Sequence, residues 1–335
     1  TMEIIRAALF LSYVLFSASG GQGATDCAYT SVLLSYTFSD RARVIPNFSP
    51  FVITPEEDLL DILLLPLNIS TNRYFSSDEV GTHIDVPGRF HVDGYRIGEI
   101  GFCDFFLVPG IKIDVSEKAA RDRNYEVTVD DIEEWICENG PLPERAIVLF
   151  DFGWSYRYDD ARRYFGDDSV LDLLLPLEYS WPGISLEAAE FLVQCSNKII
   201  AVGVDSPGVD TGFYTSPAES LAPIEPTSRY LTRYGLYLIE NLQLRATELP
   251  NRGFFLTVGV QNFQVQTAAP AYVIAEYCAD PHPELVCPNP TLQSVLTGFY
   301  PYPRRPSTNR QNTNSPYHES PFPHYHRQGR SFRRK

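Results

Sequence analysis

The sequence predicts a mixed α/β domain. Short β-compatible stretches outnumber helical ones, and helical periodicity alternates with several of them. Ala146–Phe152 (AIVLFDF) is a near-continuous apolar strand, the pattern of burial on both faces. The chain has 335 residues, 44% of them hydrophobic and 21% charged, enough to bury a large core in one or two domains.

Taken in order, Arg6 precedes an apolar run, Ala7–Phe16, and small residues follow through Ala24. Residues 1–24 therefore read as a secretory signal, and no stretch of the chain is long and apolar enough to span a bilayer. Ser31–Phe38 reads as a strand, Asp40–Pro55 as a Pro/Ser-rich loop, and Leu59–Ser70 as mostly apolar and β-compatible. Val108–Val115 is a further strand. Thr128 caps a helix with Val129, Ile132, Trp135 and Ile136 on one face, and Gly140-Pro141 stops it. After the 146–152 strand, Ser185 caps a helix running through Ala188, Phe191 and Leu192 to about Cys195. Ile199–Val204 then forms a strand that ends at Asp205. Arg229–Tyr234 reads as helical, and Leu236–Glu240, Phe254–Val260 and Tyr272–Tyr277 as strands. Asp205 and Asp210 read as turn caps. Beyond residue 280 hydrophobic periodicity disappears, so residues 25–280 are expected to form the folded domain and 281–335 a disordered Pro- and Arg-rich tail.

Charge is uneven. The chain carries −15 overall, but residues 301–335 carry +7, which leaves −22 on residues 1–300. A body that acidic repels phosphate and argues against nucleic acid as a partner. Secretion fits the remaining signals. Six cysteines (27, 103, 137, 195, 278 and 287) form an even number, with Cys278 and Cys287 placed for a local disulfide across a Pro-rich loop. Cys103, Cys137 and Cys195 sit in apolar sequence and read as buried thiols. Asn47 and Asn68 lie in N-x-S/T sequons, usable for glycosylation on the secretory route.

The chemistry concentrates in Glu79–His91 (EVGTHIDVPGRFH). As extended backbone, the run puts Glu79, Gly81, His83, Asp85, Pro87 and Arg89 on one side. Gly81 permits close backbone approach and Pro87 ends the ladder. A histidine between carboxylates on one short face is a common holder of a divalent ion. Trp154, Tyr156 and Tyr158 could line a planar pocket or simply pack in the core.

The run GTHID-V-P resembles the metal-dependent cyclase family that includes bacterial kynurenine formamidases and isatin hydrolases, whose motif is H-x-G-T-H-x-D-x-P-x-H. Further blocks match in order: IKIDVSEKA with VTVDDIEEW, AIVLFDFGWSYRY with WPGISLEAAEFLV, and IIAVGVDSPGVD with YGLYLIENL. The resemblance implies a swivelling β/β/α domain with a mixed sheet, usually a homo-oligomer, that hydrolyses small aromatic amides with Zn or Mn. It implies metal ligands at Glu79, His83 and Asp85, and a catalytic role for Glu240.

Three positions depart from that family. Glu79, Arg89 and Ser228 stand where the resemblance expects histidine. A carboxylate at 79 can still ligate, giving a harder site suited to Mn or Mg as well as Zn. Ser228 offers only a weak hydroxyl. Arg89 keeps its proton throughout the physiological range and serves neither as base nor as ligand. His91, two positions on, is a candidate replacement imidazole. Arg89 could instead bridge Glu79, Asp85 or Glu240 as an internal cation, or point to solvent beside a retained metal. The readings carried forward are a secreted amide hydrolase with reduced or different activity, a secreted binding or structural protein that keeps the fold without the reaction and holds no metal, and a function carried by the Arg- and Pro-rich tail.

Overall fold

A computed structural model describes residues 29–46, 48–56, 71–166, 179–194, 199–215, 224–244 and 248–278. The chain divides into two compact units, Thr1–Pro290 and Thr291–Lys335, and every described residue belongs to the first. The N-terminal signal, the asparagines of both sequons, Leu59–Ser70 and the basic tail lie outside the described residues.

The strands are β1 (Tyr29–Leu33), β2 (Val52–Glu56), β3 (Thr71–Phe75), β4 (His83–Asp85), β5 (Val108–Asp114), β6 (Glu126–Val127), β7 (Ile147–Asp151), β8 (Gly183–Ile184), β9 (Ala201–Val204), β10 (Tyr237–Glu240), β11 (Arg252–Val260) and β12 (Ala268–Cys278). The helices are α1 (Ser116–Arg121), α2 (Val129–Asn139), α3 (Ala161–Phe165), α4 (Leu186–Gln194), α5 (Gly212–Thr215) and α6 (Pro226–Arg233). An eight-stranded mixed sheet runs β1-β12-β11-β5-β7-β9-β10-β4, and a further pairing of β4 with β12 closes it into a ring. The run β5-β7-β9-β10 is parallel and the remaining contacts are antiparallel.

Strand alternation sorts the core into two faces. Ile84, Ile147, Leu149, Ala201, Ile239, Leu256 and Val273 pack together on the enclosed face of the ring. Val148, Phe150, Val202, Val204 and Leu238 pack on the opposite face with Ile132, Leu192 and Leu231 from α2, α4 and α6. The helix starts follow the expected chemistry. The hydroxyl of Thr128 accepts from the Asp131 N–H while the Asp131 carboxylate accepts from the Thr128 N–H. Ser185 Oγ accepts from the Ala188 N–H at 3.1 Å.

Several expectations need correction. β1 stops at Leu33 rather than Phe38, because Ser35 Oγ takes the Val273 N–H and donates to the Ala271 carbonyl. Past that point the same edge of β12 belongs to β4, whose turn supplies the Thr82 carbonyl to the Ala271 N–H. β12 accordingly begins at Ala268, four residues earlier than expected; its Ala-Ala-Pro opening has poor strand propensity, but Pro270 needs no ladder donor opposite His83. The 40–55 loop ends in β2, paired with β3 in a separate two-stranded sheet. α6 starts at Pro226, three residues before Arg229. Cys103 is half-buried and Cys137 exposed, so neither is a buried thiol; both are free. Cys278 is disulfide-bonded, whereas Cys195 and Cys287 lie outside the described residues.

Ile84 is fully buried on the enclosed face, between the two candidate ligands of β4. Ile84→Ala should lower unfolding free energy by about 2–5 kcal/mol in urea titration. A loss below about 0.5 kcal/mol would show that the ring interior is not packed around β4.

Candidate metal centre

β4 is short because both its ends are bent. Gly81 has φ +66°, a conformation that favours glycine, and its N–H donates to the Arg43 carbonyl at 2.7 Å. A Cβ there would lie 3.6 Å from its nearest neighbour, so Gly81 is required by its backbone angle and not by close approach. After Asp85 the chain leaves the ladder and Pro87–Arg89 forms a single 3-10 turn with Pro87 in its first position. The 79–91 run is therefore extended only over His83–Asp85, and Arg89 is curled back rather than aligned along a strand.

Between those bends, β4 is held on one side by β10 and on the other by β12. His83 faces Glu240 directly across the antiparallel pair, and Asp85 faces Leu238. Alternation sends Ile84 into the ring and turns His83, Asp85 and Glu240 to the other face. All three are buried, and one ligand atom from each lies within 4.8 Å of the others.

Hydrogen bonding defines the imidazole. Nδ1 of His83 lies 2.9 Å from the Gly81 carbonyl, which can only accept, so Nδ1 carries a proton. Nε2 then faces a Glu240 carboxylate oxygen at 3.3 Å. Two lone pairs cannot rest against each other at that separation; a proton or a metal cation has to lie between them. Burial alone pushes His83 down, but Glu240, Asp85 and Glu79 outweigh it and raise His83 to about 9. The other oxygen of Glu240 accepts from the Val209 N–H at 3.2 Å.

Asp85 is divided in the same way. Its Oδ2 accepts from Arg89 Nε at 2.9 Å, while Oδ1 is buried and has no hydrogen-bond partner among the described residues. Burial pushes this carboxyl up, with Arg89 pulling against it. Arg89 also pairs with Glu79 through Nη1, so the guanidinium bridges the two carboxylates, its side chain only 21% exposed.

Glu79 is thus taken by Arg89 and stands outside the three-residue group, contrary to its expected role as a ligand. Ser228 is occupied elsewhere: its hydroxyl donates to Asp210 Oδ2 at 2.5 Å, and Asp210 also receives the Thr227 and Ser228 N–H groups at the start of α6. His91 does not replace the missing imidazole. The turn at Pro87–Arg89 carries it to α6, where Nε2 lies 3.0 Å from the Arg229 carbonyl and 3.2 Å from Thr232 Oγ1. Trp154 and Tyr158 are core residues, Tyr158 stacked on Tyr36, while Tyr156 is exposed.

Two contributors were not visible to sequence reasoning. Asn241 donates its amide to the Gly81 carbonyl at 3.0 Å and accepts from Tyr164 Oη at 2.7 Å, bracing the turn before β4. Its φ of +57° suits asparagine, and an Asn just after a strand was the available signal. Glu225, also at positive φ, precedes α6; burial pushes it up to about 7 while Arg89 draws it down. Nothing in the local sequence marks Glu225.

The Cyclase family profile matches residues 32–211, more than half of the chain. The chain belongs to the Cyclase family. It is 26% identical to isatin hydrolase of Roseibium aggregatum over 203 residues, 58% of this chain and 70% of that protein. Isatin hydrolase A from Labrenzia aggregata, solved bound to benzyl benzoate, superposes with a TM-score of 0.63 at 24% identity, covering 80% of this chain and 99% of that one. A potential metal-dependent hydrolase with cyclase activity has a TM-score of 0.53 at 20% identity, over 76% of this chain and all of the other. These structures share the closed mixed sheet, and the family is the one the GTHID motif resembles.

The residues fit a divalent ion. Arg89 and Glu79 offset each other, and once His83 gives up its Nε2 proton the remaining three groups offer one nitrogen and two carboxylates, N/O donors that a divalent ion takes. The partnerless Asp85 Oδ1 is where such a site would need a free ligand atom.

Arg89→Ala leaves Glu79 and Asp85 buried without their cation. It should destabilise the metal-free protein by about 3–5 kcal/mol at neutral pH, read by urea denaturation in chelator. Added Zn or Mn should restore part of that loss by binding the native state. An unchanged midpoint would show that the ion pair does not hold the site together.

Proposed function

We propose that this protein is a cyclase-family hydrolase by descent that keeps a divalent-ion seat on His83, Asp85 and Glu240 but has lost the fast hydrolytic step. Small aromatic amides of the isatin or N-formyl-kynurenine kind are the ligand class the family resemblance supplies. The observation that carries this reading is the Arg89 guanidinium, bonded to both Asp85 and Glu79 where the motif expects an imidazole. An ion bound there would polarise the amide carbonyl and lower the pKa of a bound water.

This chain's own groups set what else can happen. His83 holds its Nδ1 proton on the Gly81 carbonyl and is committed to the ion seat, so it does not shuttle protons. Arg89 cannot accept a proton at neutral pH, and its charge is spent on two carboxylates. His91 is held on α6 and Ser228 on Asp210. General acid–base catalysis contributes about 10²–10⁴-fold to reactions of this type, and that is the factor at stake. The disulfide at Cys278 supports the further proposal that the protein is secreted, since such bonds persist in oxidising compartments.

Metal analysis after mild purification, with isatin and N-formylaniline as substrates, tests the reading. The expected result is close to one equivalent of Zn or Mn and turnover at least about 100-fold below that of the triple variant Glu79→His/Arg89→His/Ser228→His. Turnover of the unaltered protein at about 1–10³ s⁻¹ would overturn the loss of the hydrolytic step. A folded protein that takes up no divalent ion would overturn the ion seat.

A further inference from the structure

Away from β4, two arginines stack on one buried ring and the charge of a third acts on both. Trp154 is fully buried and its indole N–H donates to the Tyr164 carbonyl at 2.9 Å, so the ring is fixed in place. The guanidinium carbon of Arg157 lies 4.1 Å from the ring centroid and that of Arg123 4.7 Å. Arg163, on α3, offers its carbonyl to Arg123 Nη2 at 2.7 Å, and its charge acts on both Arg123 and Arg157. Arg157 spends one N–H on the Gly153 carbonyl.

Among the described residues none of these three arginines has a salt-bridge partner. The carboxylate acting on Arg157 is Asp205, which is buried and whose oxygens accept the Phe152 and Ser155 N–H groups. Burial and then the two neighbouring cations push Arg123 down from its ordinary value; burial and Arg163 do the same to Arg157. Like charges held together oppose folding. They stand in a chain with 42 acidic residues against 27 Lys and Arg, where partners for a cation are plentiful. Stacking on an aromatic face leaves the N–H edges of a guanidinium free for bidentate bonds to an oxyanion.

We propose that Arg123, Arg157 and Arg163, braced by Trp154, form a binding site for a tetrahedral oxyanion of the phosphate or sulfate class. Arg123 and Arg157 are half-buried and Arg163 is exposed, so the cluster reaches solvent. The acidic body around it selects a small anion, because a polyanion would meet repulsion on every flank.

Calorimetric titration of the full chain, at constant ionic strength balanced with chloride, tests this with inorganic phosphate, inorganic sulfate and phenyl phosphate. The expected result is saturable one-site binding with a dissociation constant of about 1 mM or below. Arg123→Gln and Arg157→Gln should each weaken it at least about tenfold. Arg163→Gln changes an exposed helix position, should leave the circular dichroism melt unmoved, and should still weaken binding about threefold or more. Binding of inorganic ions alone assigns the site to a free anion, and binding of phenyl phosphate as well assigns it to an esterified group; both support the site. Absence of saturation with all three probes, or equal affinity in the parent and Arg163→Gln proteins, overturns it.

Discussion

The site depends on two lone-pair-bearing groups set face to face by strand pairing. β4 is the strand that closes the ring, and its register against β10 places His83 opposite Glu240. Because His83 and Asp85 belong both to the closing strand and to the site, the backbone that carries the imidazole cannot move away from Glu240 without opening the sheet. A positive charge between them is therefore a requirement of the fold, met by a proton or by a metal ion. The Gly81 carbonyl, held in turn by Asn241, decides which imidazole nitrogen faces inward.

Around that requirement, Arg89 and Glu79 behave as a unit. Substituted singly, either would unbalance a buried cluster: an extra carboxylate at 79 would add repulsion, and an extra guanidinium at 89 would compete with a bound cation. Together they cancel, and the charge left on His83, Asp85 and Glu240 is the one a divalent ion complements. The pair thus stands where the motif has histidines and leaves His83, Asp85 and Glu240 grouped beside it. Ser228 follows the same logic at α6, where its hydroxyl has been drawn into the bonds Asp210 makes to the helix start.

Much of the scaffold was legible in short stretches. Ala146–Phe152 carries the near-continuous apolar signal of a strand buried on both faces, and it and Val108–Val115 lie within about a residue of β7 and β5. Thr128 and Ser185 announce the starts of α2 and α4 through side-chain oxygens that reach only a few residues. Asp205 and Asp210, expected to cap their own turn, instead accept N–H groups from Phe152 and Ser155 and from the start of α6, far away in the chain. Ser31–Phe38 and Tyr272–Tyr277 misled because the edge of β12 is shared between two partners, and no local pattern records how an edge is divided.

The motif and its departures were determined by the sequence alone: His83 and Asp85 on one face of a short strand, and a guanidinium that cannot act as a base at any physiological pH. Side-chain alternation and intrinsic acidity are local properties, so they need no partner to be read. Only the tertiary structure decided that Glu240 stands across from His83, that Glu79 turns to Arg89, and that His91 is carried off to α6. Those outcomes depend on strand register and on one 3-10 turn, which bring together residues far apart in the chain, and no spacing along it encodes such contacts.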